Sequence, residues 1–136
     1  MNNNENIKDI CKEYDIINYT INPDGSIDVN GSVYLSYKNL TKLPLNFNKV
    51  TGDFYCRDNK LTTLLGSPQS VGRNFYCSYN NLTSLEGCPK SVSGNFNLHG
   101  NPIYNQLGDI DYKSYIKQLN RDKILNELII MNSNFK

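Results

Sequence analysis

The chain holds one histidine, His99, and any acid–base chemistry would have to start there. An imidazole catalyst needs a partner within hydrogen-bond reach. At steps of 21 residues before it stand Ser78, Arg57 and Ser36, with Asp58 one residue beyond Arg57. A Ser–His pair on that row has no carboxylate in the row to orient the ring, so His99 is read as an exposed histidine on a strand. The four cysteines are Cys11, Cys56, Cys77 and Cys88. They show neither CxxC spacing nor a nearby histidine pair, so neither a metal nor a cofactor is expected. Cys56 and Cys77 read as free thiols serving as small hydrophobes. Gly66, Gly72, Gly87 and Gly94 do not join a strand to a helix as a phosphate loop must. The carboxylates are scattered. The expectation is a protein without catalytic residues, whose chemistry is that of a surface.

What positions that surface is a repeat. "DFYCRDNKLTTLLGSPQSV" begins at Asp53 and "NFYCSYNNLTSLEGCPKSV" at Asn74, 21 residues later. Stepping back by 21 takes Phe54, Cys56, Leu61, Leu64 and Val71 onto Val33, Leu35, Leu40, Leu43 and Val50, all apolar. Stepping forward from Phe75, Cys77, Asn80 and Leu82 gives Phe96, Leu98, Asn101 and Ile103. One further step back from Val33 reaches Lys12, where the pattern ends. A period of this size marks a stacked-repeat fold. The register spans residues 31–107, about four rungs of 21 residues in a right-handed coil with one parallel sheet.

Within a rung, Phe and Cys alternate with Tyr, and alternating side chains of a strand face opposite ways. The Gly, Pro and Ser of "LGSPQS" and "EGCPKS" predict a tight irregular return. Asn59, Asn80 and Asn101 fall where each strand must bend. An amide there can pair the backbone groups that lose their ladder partners. Outward residues line up by the same arithmetic. Tyr34, Tyr55, Tyr76 and Asn97 form one column; Ser32, Asp53, Asn74 and Asn95 precede it. Ser36, Arg57, Ser78 and His99 follow it, then Tyr37, Asp58, Tyr79 and Gly100.

The motif F-Y-C-x-x-N-x-L-T-x-L resembles the leucine-rich-repeat signature L-x-L-x-x-N-x-L-x-x-L. Its short period and "NLTSL" segment are similar to the compact repeats of bacterial effector proteins and to small leucine-rich-repeat proteins encoded by bacteriophages. The likeness covers about residues 31–102. It departs from the family at Lys38 in the first Asn slot, and where Cys and Phe take Leu slots. It implies a non-enzymatic protein-binding module, in one version an intracellular phage protein that blocks a host defence protein.

A stacked array needs covers at both ends. Ile7, Ile10, Cys11, Tyr14 and Ile17 predict a helix over 6–17. "INPDGSI" predicts a hairpin turning at Asp24-Gly25, with Ile27 and Val29 leading into the first rung. At the far end Asp109 or Asp111 can cap a helix over 110–131, with a break near Asn120. The expected organisation is one domain over 1–136: an N-terminal cap over 1–30, rungs over 31–107, and a helical C-terminal cap over 108–136. Fourteen basic and 13 acidic residues give a net charge of +1, which favours neither nucleic acid nor an acidic tail. No apolar run reaches membrane-span length, and the polar N-terminus has no leader-like core, so a cytoplasmic setting is expected. The partner is expected to be a protein, with no nucleic acid and no membrane. The binding face would comprise Tyr34, Tyr55, Tyr76, Arg57, Asn97, His99, Tyr37, Asp58 and Tyr79. A small-ligand binder or weak hydrolase working through His99, Arg57 and Asp58 is a rival class, as is an assembly subunit that stacks through its ends.

Overall fold

Residues 3–108 and 110–134 are described by the computed structural model. The 21-residue step registers two sheets rather than one. The first contains β3 (Val33–Tyr34), β5 (Phe54–Tyr55), β7 (Phe75–Tyr76) and β9 (Phe96–Asn97), in that order across the sheet. Its strands are parallel, with Val33 opposite Phe54, Phe54 opposite Phe75 and Phe75 opposite Phe96. The second contains β2 (Ile27–Val29), β4 (Phe47–Val50), β6 (Ser70–Val71) and β8 (Ser91–Val92), again parallel, with β1 (Tyr19–Ile21) antiparallel at its edge. The chain is therefore a solenoid of about three turns with parallel sheets.

The second sheet corrects the expected irregular return. Any rung that places Phe54 on Phe75 also places Val50 on Val71 and Val71 on Val92. A two-residue strand inside a Gly-Pro-Ser stretch is too short to show a period of its own. β2 is likewise not a lead-in to the first rung. It is itself a return strand, with Val29 paired to Val50 across a bulge at Ile27 and Asp28.

Both sheets close on one core. Phe54, Leu61, Leu64, Phe75 and Leu82 are wholly buried, each contributing about 1.5–3 kcal/mol. An aromatic spine runs along the axis. The Phe54 and Phe75 rings lie 5.6 Å apart, Phe75 and Phe96 5.2 Å, and Phe96 and Tyr112 5.8 Å.

The ends differ from expectation in detail. α1 is Asn3–Glu13, beginning and ending earlier than 6–17. Asp15 and Asn18 take left-handed backbone (φ 53° and 56°), which turns the chain. Ile16 is buried, whereas Ile17, expected on the packed face, is 68% exposed. The hairpin forms with Ile21 opposite Ile27, and its five-residue loop is held by Asp24, which accepts from the Ser26 amide and hydroxyl.

At the far end α2 (Pro102–Leu107), not foreseen, starts on a proline suited to a first helical turn and buries Ile103. α3 (Tyr112–Ser133) starts at Asp111, whose carboxylate accepts from the amides of Lys113 and Ser114. Asp109 lies outside the described residues. The break near Asn120 does not occur, and the packed cap is shorter than expected. Tyr112 and Ile116 are buried, but Leu125, Leu128 and Ile129 are at least half exposed. Every described residue from Arg121 to Asn134 is exposed, so the second half of the helix has no face packed on the rungs.

Candidate functional site

The outer side of β3, β5, β7 and β9 carries the tyrosines. The rings of Tyr34 and Tyr55 stack 5.2 Å apart, as do those of Tyr55 and Tyr76, with planes within 15°. Asn97 ends the column, half-buried. Cross-strand contacts of this kind contribute about 0.2–1 kcal/mol each. The Tyr55 hydroxyl donates to Asp53 at 3.1 Å. Burial, and then that bond, raise the Tyr55 pKa above the ordinary phenol value.

The preceding column proves to be a second ladder. Ser32 accepts the Asp53 amide, Asp53 accepts the Asn74 amide and Asn74 accepts the Asn95 amide, at 2.9, 2.9 and 2.7 Å. These side chains are tied to the next rung's backbone and so form a structural border to the face. Ser, Asp and Asn share a short polar side chain able to do this, and that shared property was the available signal.

The Asn slot holds the inner ladder. Asn80 accepts from the Leu61 amide at 3.0 Å and donates to the carbonyls of Cys56 and Cys77, also at 3.0 Å. Asn59 accepts from Lys38 and Leu40 and donates to Leu35 and Cys56. Asn101 accepts from Leu82 and donates to Cys77 and Leu98. All three are buried, and each joins its own bend to that of the rung before.

Just before the slot that Lys38, Asn59, Asn80 and Asn101 fill, the backbone is left-handed: φ is 58° at Tyr37, 55° at Asp58, 56° at Tyr79 and 75° at Gly100. Only Gly adopts this at no cost; for the others it costs roughly 1–2 kcal/mol. The conformation swings Tyr37 and Tyr79 outward, where they are 70% and 55% exposed. Between them lies Arg57. Its guanidinium carbon is 5.9 Å from the Tyr37 ring centre and 5.7 Å from that of Tyr79, and its Nε donates to Asp58 at 2.6 Å. The Asp58 bond leads in raising the Arg57 pKa. Column arithmetic places these residues as neighbours but does not foretell a guanidinium held between two rings.

At the β3 end the two tyrosine columns enclose a shallow concavity of about 410 Å³, lined by Tyr34, Ser36, Tyr37, Lys38, Tyr55 and Arg57. Among the described residues the Ser36 hydroxyl is the one buried side-chain polar atom without a hydrogen-bond partner. Ser36 belongs to an expected outward column but not to the expected binding residues, and Lys38 to neither.

His99 sits two rungs from Arg57, exposed, with its ring 4.4 Å from that of Tyr104. Its backbone amide donates to Asn97, and among the described residues no hydrogen bond joins its ring to Ser78 or Asp58. Cys11, Cys56 and Cys77 are buried free thiols, and Cys88 is a half-buried one. Burial raises the pKa of each, that of Cys88 to about 11. Among the described residues no helix is long and apolar enough to cross a membrane. No protein-family model, curated protein or solved structure matches the chain.

Proposed function

We propose that the chain is a short right-handed leucine-rich-repeat module of about four rungs that binds a protein through its tyrosine face and performs no catalysis. The observation that carries this reading is the ordered aromatic surface. Three stacked tyrosines lie beside an arginine held between two more. Tyr and Arg are enriched among residues that dominate binding energy, and rings already stacked lose little freedom on docking. The non-catalytic part rests on His99, whose ring packs on Tyr104 rather than on a hydroxyl or carboxylate. The likeness to phage-encoded repeats makes an intracellular host protein, such as a defence factor, the partner to seek first.

The test is a triple change, Tyr34→Ala, Tyr55→Ala and Tyr76→Ala, against a control on the returns, Gln69→Ala with Lys90→Ala. Each hot-spot tyrosine should cost about 2 kcal/mol or more of binding, so the triple variant should lose a partner recovered from the native host. Melting curves must accompany it, because the ladder also holds the sheet. A triple variant that keeps the partner while the control loses it would move the interface to the returns.

A further inference from the structure

The concavity at the β3 end of the face has donors to offer and no carboxylate among its lining residues. We propose that it anchors an acidic side chain, Asp or Glu, of an extended partner segment that runs along the tyrosine columns. This rests on the protein-binding reading above and adds the chemistry of the partner.

Two cationic donors line it. The Ser36 hydroxyl has no partner among the described residues, but it has almost no exposed surface, so an acceptor docked in the concavity does not reach it. Arg57 uses Nε on Asp58, and its guanidinium carbon lies over the Tyr37 and Tyr79 rings. Its terminal amino groups have no partner among the described residues, so N–H donors are left over. Lys38 lines the same space, and its ammonium has no partner among the described residues either. The nearby carboxylates are already engaged: Asp58 by Arg57, and Asp53 by the Asn74 amide and the Tyr55 hydroxyl.

A carboxylate suits this set. It is acceptor-only with two oxygens, and charge-assisted bonds to guanidinium are the stronger kind. An amide of the same shape would present an NH2 group toward two cations. Tyr34, Tyr37 and Tyr55 supply walls for the apolar stem. At about 410 Å³ the concavity lies near the small end of ligand pockets, and it is shallow and open. A segment lying on that face can reach it with one side chain.

The experiment selects binders from a displayed library of randomised peptides with neither terminus free. Enriched peptides should keep Asp or Glu at one position. Changing that residue to its amide should weaken binding at least about tenfold. Arg57→Met, which keeps most of the stem, should cause a similar loss, and on that variant the acid-to-amide change should cost nothing more. Ser36→Ala removes a hydroxyl closed to the concavity and, as a control, should leave binding unchanged.

Peptides that need Tyr34 and Tyr76 yet tolerate the amide would overturn the acidic anchor and leave the protein-binding face standing. Peptides indifferent to both tyrosines would overturn the two together, as would no enrichment above that of the triple tyrosine variant. Arg57-dependent binding of inorganic phosphate or of a free peptide carboxyl terminus, with no preference for an internal acid, would also refute the assignment.

Discussion

Replacing Asn80 by alanine tests whether the inner ladder holds the bends together. In the native chain its Oδ1 is the acceptor for the buried Leu61 amide, which has no other partner among the described residues. Its Nδ2 donates to the carbonyls of Cys56 and Cys77, which keep a second donor from Asn59 and Asn101 respectively. Alanine therefore strands one buried N–H completely, at about 1–3 kcal/mol. The lost donations add about 1 kcal/mol more, for a total of about 2–4 kcal/mol. Aspartate should be worse than alanine. It keeps an acceptor for Leu61 but aims a second oxygen, and a buried charge, at two carbonyls. A further consequence separates this from simple loss of volume. Asn59 and Asn80 share the Cys56 carbonyl, so removing both orphans a group that each single change spares. The double variant should lose more than the sum of the singles. Urea unfolding of the parent and the four variants would measure all of this. An Asn80→Ala variant within about 0.5 kcal/mol of the parent, or one less stable than Asn80→Asp, would refute the reasoning.

Leu82→Ala should destabilise by about 2–5 kcal/mol in the same urea assay, because Leu82 is wholly buried in a core one rung wide. Ending the chain after Gly108 should uncover Phe96 and lead to aggregation, whereas ending it after Arg121 should leave the melting midpoint unchanged; light scattering and calorimetry distinguish the two. At pH 8 a thiol reagent should leave Cys11, Cys56 and Cys77 untouched in the native protein and modify all of them in denaturant. Cys88 keeps its proton to about pH 11 when folded but only to about 9 when unfolded, so its contribution to stability is flat below pH 9 and lost from about 9 to about 11; the urea midpoint should fall over that window.

How much of this was readable depends on what a period records. The subtraction that relates Cys56 to Cys77 also placed the tyrosine columns and the Asn slot, because each sits at a fixed depth in the rung. It was silent about the second sheet, because Ser70–Val71 offers two residues where alternation needs four or more. It did not foresee left-handed backbone at Tyr37 and Tyr79, residues with no preference for that conformation, imposed on them by the bend before Lys38 and Asn80. Helical spacing of apolar residues suggested that the whole C-terminal segment covers the rungs. Spacing gives which residues share a stripe, but not how far along the helix the rungs reach: every described residue from Arg121 to Asn134 is exposed. The Arg57 cradle and the unpartnered Ser36 hydroxyl are facts of geometry that residue types leave open.

The uniform offset of the ladders bears on how the chain gets folded. Every strand pair of the β3–β9 sheet, and every one from β4 to β8, joins residues 21 apart, and the Asn side chains bridge 19 to 24. Each new rung must therefore close a loop of the same size, at nearly the same entropic cost. Against 136 residues the step is about 0.15 of the chain, a separation typical of mixed α/β domains with intermediate folding speed. Two adjacent rungs suffice as a seed, and growth from it proceeds like a zipper with equal teeth. Inserting or deleting one residue inside a rung would put only the two rungs it separates out of step, since later rungs keep their own spacing, and a bulge such as the one β2 and β4 form at Ile27 and Asp28 is the device that absorbs such a slip.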